Sequence, residues 1–556
     1  MTTKIVISSN RTAPVSVLET DSIFVLDKGV MLSTSATALV ATGTATARDF
    51  YINGTVLSAS SYAFRFGSTS VADSKSEFVV SSSGKVSGKD YGVRIDSGSL
   101  ELTNDGTVEA RLTAITAAGK ATHLVNTGLI ESSSGIGIAV SGSSAVVTNH
   151  GTTHAAMSAV QLTGSSALLT NNGELRSDKA SAIVSTGKTA TLTNHGSAIA
   201  YGTAIASSGA GVKLTNDGSV TSTYATAIIA KGDDAVVTNS GTISAAKTAI
   251  ALTGDDGKIT NNGLIITQGY AIAVSADGAV VTNNKTITAG GGIKVAGTDE
   301  TVTNYGTITG TVTSAATIDF SAASAASLHN NGLIKSAGTA FLGGGGTDSV
   351  FNSGTITGAI QLGIGNDYFD GTGGKVSGTV YGGSGNDVYV VSDAAIKLSE
   401  SSGGGTDLVK ANVSFTLGSY FENLTLKGTA AINATGNALS NQLHGNSGRN
   451  TIDGKAGNDM IWGHGAADIL TGGAGADQFV FNTGDGKDAI TDFAATGSSH
   501  DILDLTGLAS IGDYTDLTQH HMTQVGSDVL IDGLNGDSIV LKGVKMAMLD
   551  AGDFLF

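Results

Sequence analysis

The sequence predicts an all-β chain wound as a right-handed parallel β-helix solenoid, with a change of repeat in its last third. Three observations predict it. An Asn-x-Gly signature returns at a near-constant step, a second grammar of Gly-rich turns ending in Asp takes over from residue 362, and the composition suits a narrow interior. The chain of 556 residues has 78 Gly, one Pro (Pro14), no Cys and one Trp (Trp462), with 40% hydrophobic but only 5% aromatic residues. A core of Ala, Val, Ile and Leu fits stacked short strands better than a globular interior of large side chains.

The first repeat is anchored at Asn104, Asn126, Asn149, Asn171, Asn194, Asn216, Asn239, Asn261, Asn304, Asn330 and Asn352, with Asn283 in step although Lys285 replaces its Gly. Ser82, in Ser-Ser-Gly, is read as the start of the series, and the step stays even apart from one longer interval between Asn304 and Asn330. Within a period, short runs of alternating apolar and small polar residues are separated by Gly, Ser, Asp and Asn, which reads as three strands joined by tight turns. One coil of about 22 residues with three strands matches a right-handed parallel β-helix. Stacked directly above one another, the Asn side chains are expected to form a buried amide ladder. The residue after each Asn varies freely (Asp105, Thr127, His150, Asn172, His195, Asp217, Ser240, Tyr305) and is expected to face solvent. Segments around 39–47 and 53–56 resemble worn coils, and residues 1–50 are read as an N-terminal cap, with the β-helix spanning 51–361.

Charge is unevenly placed. The net charge is −17, and residues 361–556 hold 21 Asp and 2 Glu against 9 Lys plus Arg, so that this third alone carries −14. That excess excludes nucleic acid as a partner, since phosphate binding needs a basic surface. The preference for Asp over Glu points to cation cages beside turns. No run of 18 apolar residues occurs, so no membrane insertion is expected, and Met1 to Val30 has no basic-then-apolar leader of the Sec type.

The second repeat carries the cation chemistry. Gly363-Ile364-Gly365-Asn366-Asp367, Gly383-Ser384-Gly385-Asn386-Asp387 and Gly403-Gly404-Gly405-Thr406-Asp407 bring the same turn back at an even step, each time ending in Asp. Four nonapeptides then run in tandem, Gly445 to Asp453, Gly454 to Trp462, Gly463 to Thr471 and Gly472 to Val480, the last being Gly472-Gly473-Ala474-Gly475-Ala476-Asp477-Gln478-Phe479-Val480. These motifs resemble the RTX (repeats-in-toxin) family, whose G-G-x-G-x-D-x-U-x nonapeptides form a parallel β-roll with calcium in the turns.

The resemblance implies a calcium-binding RTX β-roll over 362–484 holding several Ca²⁺ ions. Its ligands would be the carboxylates of Asp367, Asp387, Asp407, Asp459, Asp468 and Asp477 together with the turn backbone at Gly365, Gly383, Gly385, Gly405, Gly457, Gly473 and Gly475. With two nonapeptides per turn, Asp459 and Asp477 make the best pair. Asn450 aligns with Asp468 on the opposite edge, where Asn450 and Ala466 depart from the pattern. Asp367, Asp387 and Asp407 form a row on one edge. The tail, with Asp488-Ala489-Ile490-Thr491-Asp492-Phe493 and the terminal Asp553-Phe554-Leu555-Phe556, also resembles RTX proteins, so 485–556 is read as a C-terminal cap and type I secretion signal.

The function expected from these features is a secreted, calcium-dependent structural or adhesive protein: an adhesin, a biofilm-matrix component or a self-assembling surface-layer or filament subunit. Its expected partners are the type I secretion machinery and either further copies of the chain or surface glycans. The alternative is an extracellular polysaccharide lyase or epimerase, which needs a clustered acid/base set. The coil histidines do not supply one, because His150 and His195 lie two coils apart at turn positions. Neither H-E-x-x-H nor a G-x-S-x-G with triad partners occurs, and no enzymatic activity is expected.

Overall fold

The computed structural model describes residues 3–43, 47–68, 76–96 and 99–556. Within them the chain is a parallel β-solenoid that divides into two compact units, Met1–Val312 and Thr313–Phe556.

In the first unit each coil contributes three strands. Val236–Asn239, Thr242–Ala245 and Ile250–Leu252 make up one coil, and each pairs in parallel with its counterpart in the next, as Val236–Asn239 does with Lys258–Asn261. The strands form because alternation places every second side chain inside. In Val236–Asn239, Val237 and Asn239 are buried while Val236 and Thr238 are half-exposed. No coil can bury this face alone, so stacking supplies the core, with each buried Val, Ile or Leu contributing about 1.5–3 kcal/mol.

The repeated Asn forms the expected ladder. Nine bonds of 2.7–2.8 Å run from the Nδ2 of each Asn to the Oδ1 of the next, from Asn104 to Asn304, and every member is buried. Most of the Nδ2 groups also donate to a turn carbonyl two residues on, as Asn194 does to Gly196. A buried amide costs free energy unless bonded, and here stacking itself provides the partner. The following residues, Thr127 to Tyr305, are exposed as expected. The start of the ladder differs from expectation. Val80 pairs opposite Asn104, and Ser82 stands exposed in the turn. Matching Ser-Ser-Gly to Asn-x-Gly aligns the glycines, Gly84 beneath Gly106, but two extra turn residues displace the serine.

A second device recurs without a fixed residue type. Ala121, Ser144, Ser166, Thr189, Gly211, Asp234, Asp256 and Gly278 all take φ between 51° and 67° at the same corner of successive coils. Only two are glycine, which is why sequence patterning does not reveal it.

The residues expected as a cap are, where described, built as coils too. Thr3–Ile7, Ser22–Leu26, Asp49–Ile52 and Ser76–Val80 pair in parallel in that order, with the tilted rings of Phe24, Phe50 and Phe78 following one another in the core at centroid distances of 6.1–6.2 Å. Positions 1–2 and 44–46 of that segment lie outside the described residues.

The second unit stacks the same way on a shorter period. Its core column runs Val350, Phe369, Tyr389, Val409, Leu424, Leu443, Ile461, Phe479, Leu503 and Phe554, each level with the next across a parallel strand pair. The inward apolar residue of each nonapeptide thus fills the interior. A facing column of Ala434, Ile452, Leu470, Ile490 and Leu541 completes the roll. The last of these strands, Asp537–Leu541, joins an antiparallel pair with Asp528–Leu534 and Met522–Val525.

Candidate metal centre: two rows of buried carboxylates

Two residues before most of these inward side chains (Ala434, Leu541 and Phe554 excepted) stands an acid or amide, and stacking places these in a row. Along the first edge the row is Asp348, Asp367, Asp387, Asp407, Glu422, Asn441, Asp459, Asp477 and Asp501; along the opposite edge it is Asn450, Asp468 and Asp488. All but Glu422 are buried, at 0–3% exposure, which makes the way their oxygens are satisfied decisive.

One oxygen of each carboxylate is satisfied by the coil before it. The N–H of Asp367 donates to Asp387 Oδ1, that of Asp387 to Asp407 Oδ1, that of Asp459 to Asp477 Oδ1 and that of Asp468 to Asp488 Oδ1, all at 2.8 Å. The other oxygen is not satisfied. Oδ2 of Asp367, Asp387, Asp407, Asp459, Asp468, Asp477 and Asp488 is buried with no hydrogen-bond partner. Seven orphaned anionic oxygens in two files are what a hard cation with oxygen ligands requires.

The remaining members of the rows behave differently. Asp348 Oδ2 accepts the Gly344 N–H at 2.7 Å and Asp501 Oδ2 accepts that of Ala494 at 2.8 Å. Asn441 turns its Nδ2 toward the carbonyls of Phe421 and Glu422. Asn450 is engaged on both sides: its Oδ1 accepts from Asn446 N–H and its Nδ2 donates to Ile432 O and Asn446 Oδ1. At these positions a backbone N–H meets what elsewhere is an unpartnered oxygen, with Asn441 Oδ1 accepting from Asn437 at 2.8 Å, and the Nδ2 of the two asparagines stands where the aspartates have Oδ1.

Glycine lets the coils approach this closely. Gly365, Gly383, Gly385, Gly405, Gly457, Gly473 and Gly475 all take positive φ in the turns. At Gly475 a Cβ would lie 1.9 Å from the carbonyl oxygen of Gly457 one coil away, so only glycine fits. Ala466 occupies the equivalent turn position on the other edge at φ 93°, a conformation costly for a residue with a Cβ.

The electrostatics follow from burial. Loss of water, reinforced by the neighbouring carboxylates, pushes Asp367 up to about 6, Asp387 and Asp459 to about 7, and Asp488 to about 8. Asp468 is raised to about 7 by burial and by Asp485. A divalent ion between the coils would offset both causes, by coordination in place of water and by positive charge against the neighbouring carboxylates.

Sequence reasoning missed several members. Asp488 follows Asp468 at the same step that separates Asp387 from Asp367, and Asp348 precedes Asp367 by nearly that step, so spacing alone could have found both. Glu400 carries no motif signal, yet one oxygen each from Asp387, Glu400 and Asp407 lie within 4.8 Å of one another. The coil histidines stay apart, with His154 on Asp178 at 2.8 Å and His195 on Asp217 at 3.1 Å.

Comparison with protein-family models accords with this geometry. Four copies of the RTX calcium-binding nonapeptide repeat (HemolysinCabind) are recognised over residues 379–391 and 444–479. No curated protein matches the chain. Among solved structures, the extracellular lipase LipA from Serratia marcescens aligns at 17% identity and a TM-score of 0.15, covering 38% of this chain and 40% of that one. The chain thus carries RTX calcium-binding repeats and takes Ca²⁺ at several sites.

Proposed function

We propose that the chain is a secreted structural or adhesive protein of the bacterial cell surface or matrix whose C-terminal unit is ordered by calcium after export. The observation that carries this reading is the set of seven buried Oδ2 atoms without a partner. Asp367, Asp387, Asp407, Asp459, Asp468, Asp477 and Asp488 would hold the ions, with turn carbonyls completing the shells. Calcium would supply charge neutralisation between coils that otherwise repel.

Extracellular calcium modules bind with Kd of about 10⁻⁴ to 10⁻³ M, far above cytosolic free calcium. The roll would therefore stay unfolded inside the cell and fold outside, where binding free energy becomes folding free energy. Residues 485–556 serve in this reading as cap and type I secretion signal. Among the described residues no helix is long and apolar enough to cross a membrane. The Asn-ladder coils need no ion, and their exposed Thr, Asn, His and Tyr side chains offer hydrogen-bonding faces for lateral contacts between copies or for surface glycans.

Electron microscopy of the full chain at rising concentration, with and without millimolar calcium, tests the reading. Calcium-gated filaments or sheets support a matrix or surface-layer subunit, and isolated particles that bind glycan arrays support an adhesin. A C-terminal unit fully folded in chelator overturns the calcium gate.

A further inference from the structure

The aspartates of the first row are not equivalent, because one coil contributes a third carboxylate. Ser399 pairs opposite Tyr381, so Glu400 follows one coil beyond Gly382, the glycine that opens the Asp387 turn. The absent side chain of Gly382 makes the room. A Cβ built there would lie 2.1 Å from Glu400 Oε1 and 2.3 Å from Asp387 Oδ2. Glu400 is only 8% exposed, and it is held in place by the buried Tyr389 hydroxyl, which donates to Oε1. Its Oε2 lies 3.4 Å from the Gly383 N–H.

One oxygen each from Asp387, Glu400 and Asp407 fall within 4.8 Å of one another, and two oxygens on a single calcium ion stand no more than about 5 Å apart. Oδ2 of both aspartates is buried and unpartnered, so the cluster contains groups that still lack a ligand. Glu400 also lines an open cleft with Gln361, Gly363, Tyr381, Gly383 and Ser401, which gives an ion a way in.

We propose that Asp387, Glu400 and Asp407 form a three-carboxylate calcium site, tighter than the two-carboxylate positions of either row, at which calcium loads first. It rests on the calcium reading of the rows. Affinity at such oxygen sites rises with the number of charged ligands and with the rigidity of their support, and here Tyr389 and the stacked coils supply the rigidity. The longer coil of this stretch is what makes it available, since the extra residues carry Glu400 into a place where the tandem nonapeptides have only glycine.

The test is calorimetric titration of the calcium-stripped full chain with Ca²⁺ at fixed ionic strength. The wild type is expected to show one step resolved ahead of the rest. Glu400→Gln, which keeps shape and removes charge, should weaken that step by at least ~10-fold and leave the later steps in place. Asp468→Asn on the opposite edge should remove a later step and leave the first untouched. An unchanged first step in E400Q overturns the inference alone, while a wild type that takes up no calcium overturns the calcium reading beneath it. Should E400Q fail to fold even in calcium, Tyr389→Phe decides. It retains the ring, and loss of its hydroxyl should weaken the first step by about threefold, whereas no change overturns the inference.

Discussion

The N–H of Asp459 donates to Oδ1 of Asp477 at 2.8 Å, and Oδ2 of the same Asp477 is buried with nothing to bond. One residue thus completes the hydrogen bonding of the coil before it and leaves a negative oxygen over for an ion. The contrast with Asn441 and Asn450, whose Oδ1 stands in the place of that oxygen and accepts a backbone N–H from Asn437 and Asn446, supplies the first prediction.

Asp477→Asn should convert an ion position into a neutral one with no orphaned anionic oxygen. The amide oxygen can keep the bond from Asp459, and the Nδ2 can reach a turn carbonyl. The expected result is one fewer bound calcium and a calcium-free form stabilised by ~1 kcal/mol. Equilibrium dialysis counts the ions, the pH below which the unit folds in chelator reports the second effect, and a variant that needs a lower pH than the wild type would contradict the argument.

The pH dependence should reverse sign with calcium. An unfolded Asp ionises near 4, whereas burial raises Asp387 and Asp459 to about 7 and Asp488 to about 8 in the folded, ion-free protein. The folded form therefore binds more protons across roughly pH 4 to 8, and its stability falls as pH rises through that window. With saturating calcium the same groups are held ionised, so protons compete with the metal and stability falls as pH drops. The folded fraction of the C-terminal unit between pH 4 and 8, followed by circular dichroism, should therefore rise toward low pH in chelator and fall toward low pH with calcium.

Gly475→Ala should cost on the order of 2–4 kcal/mol, because the new Cβ meets Gly457 O at 1.9 Å. The reverse change on the other edge, Ala466→Gly, should stabilise the calcium-bound form by about 1 kcal/mol by relieving φ 93°. Denaturation in calcium would show whether the two substitutions move stability in opposite directions.

In the first unit, Asn216→Ala should destabilise by about 3 kcal/mol, since it takes the 2.7 Å ladder partner from Asn194 Nδ2 and leaves Asn239 Oδ1 without its donor in a dry interior. The loss should be the same with or without calcium. Limited proteolysis in chelator should cut the C-terminal unit while residues 104–304 stay protected.

Much of this was legible beforehand because stacking turns periodicity into proximity. Asn194 and Asn216, one period apart, must meet if coils stack, and so must Asp459 and Asp477 across two nonapeptides. What stayed hidden lacks a period or a fixed residue type. Glu400 reaches its site because its turn runs two residues longer to Asp407 than the turn from Gly382 to Asp387, and through the room left by Gly382, neither of which marks the sequence locally. The left-handed corner is Ala, Ser, Thr, Gly or Asp from one coil to the next, because neighbouring backbone rather than side-chain identity enforces it. Ser82 misleads because turn length absorbs two residues while the glycines remain in step.

The uniform rungs of the amide ladder have a consequence for how such a protein can change. Excision of residues 217–239 would join Asn216 to Ser240-Gly241 and restore Asn-x-Gly at the seam. Lys213-Leu214-Thr215-Asn216 would then face Lys258-Ile259-Thr260-Asn261, which keeps the inward pairs apolar on apolar and Asn on Asn and sets only Lys213 against Lys258 at the surface. Coils of this unit are interchangeable parts, so its length is a copy number that duplication and deletion can adjust like the marks on a ruler, without redesign of the interior.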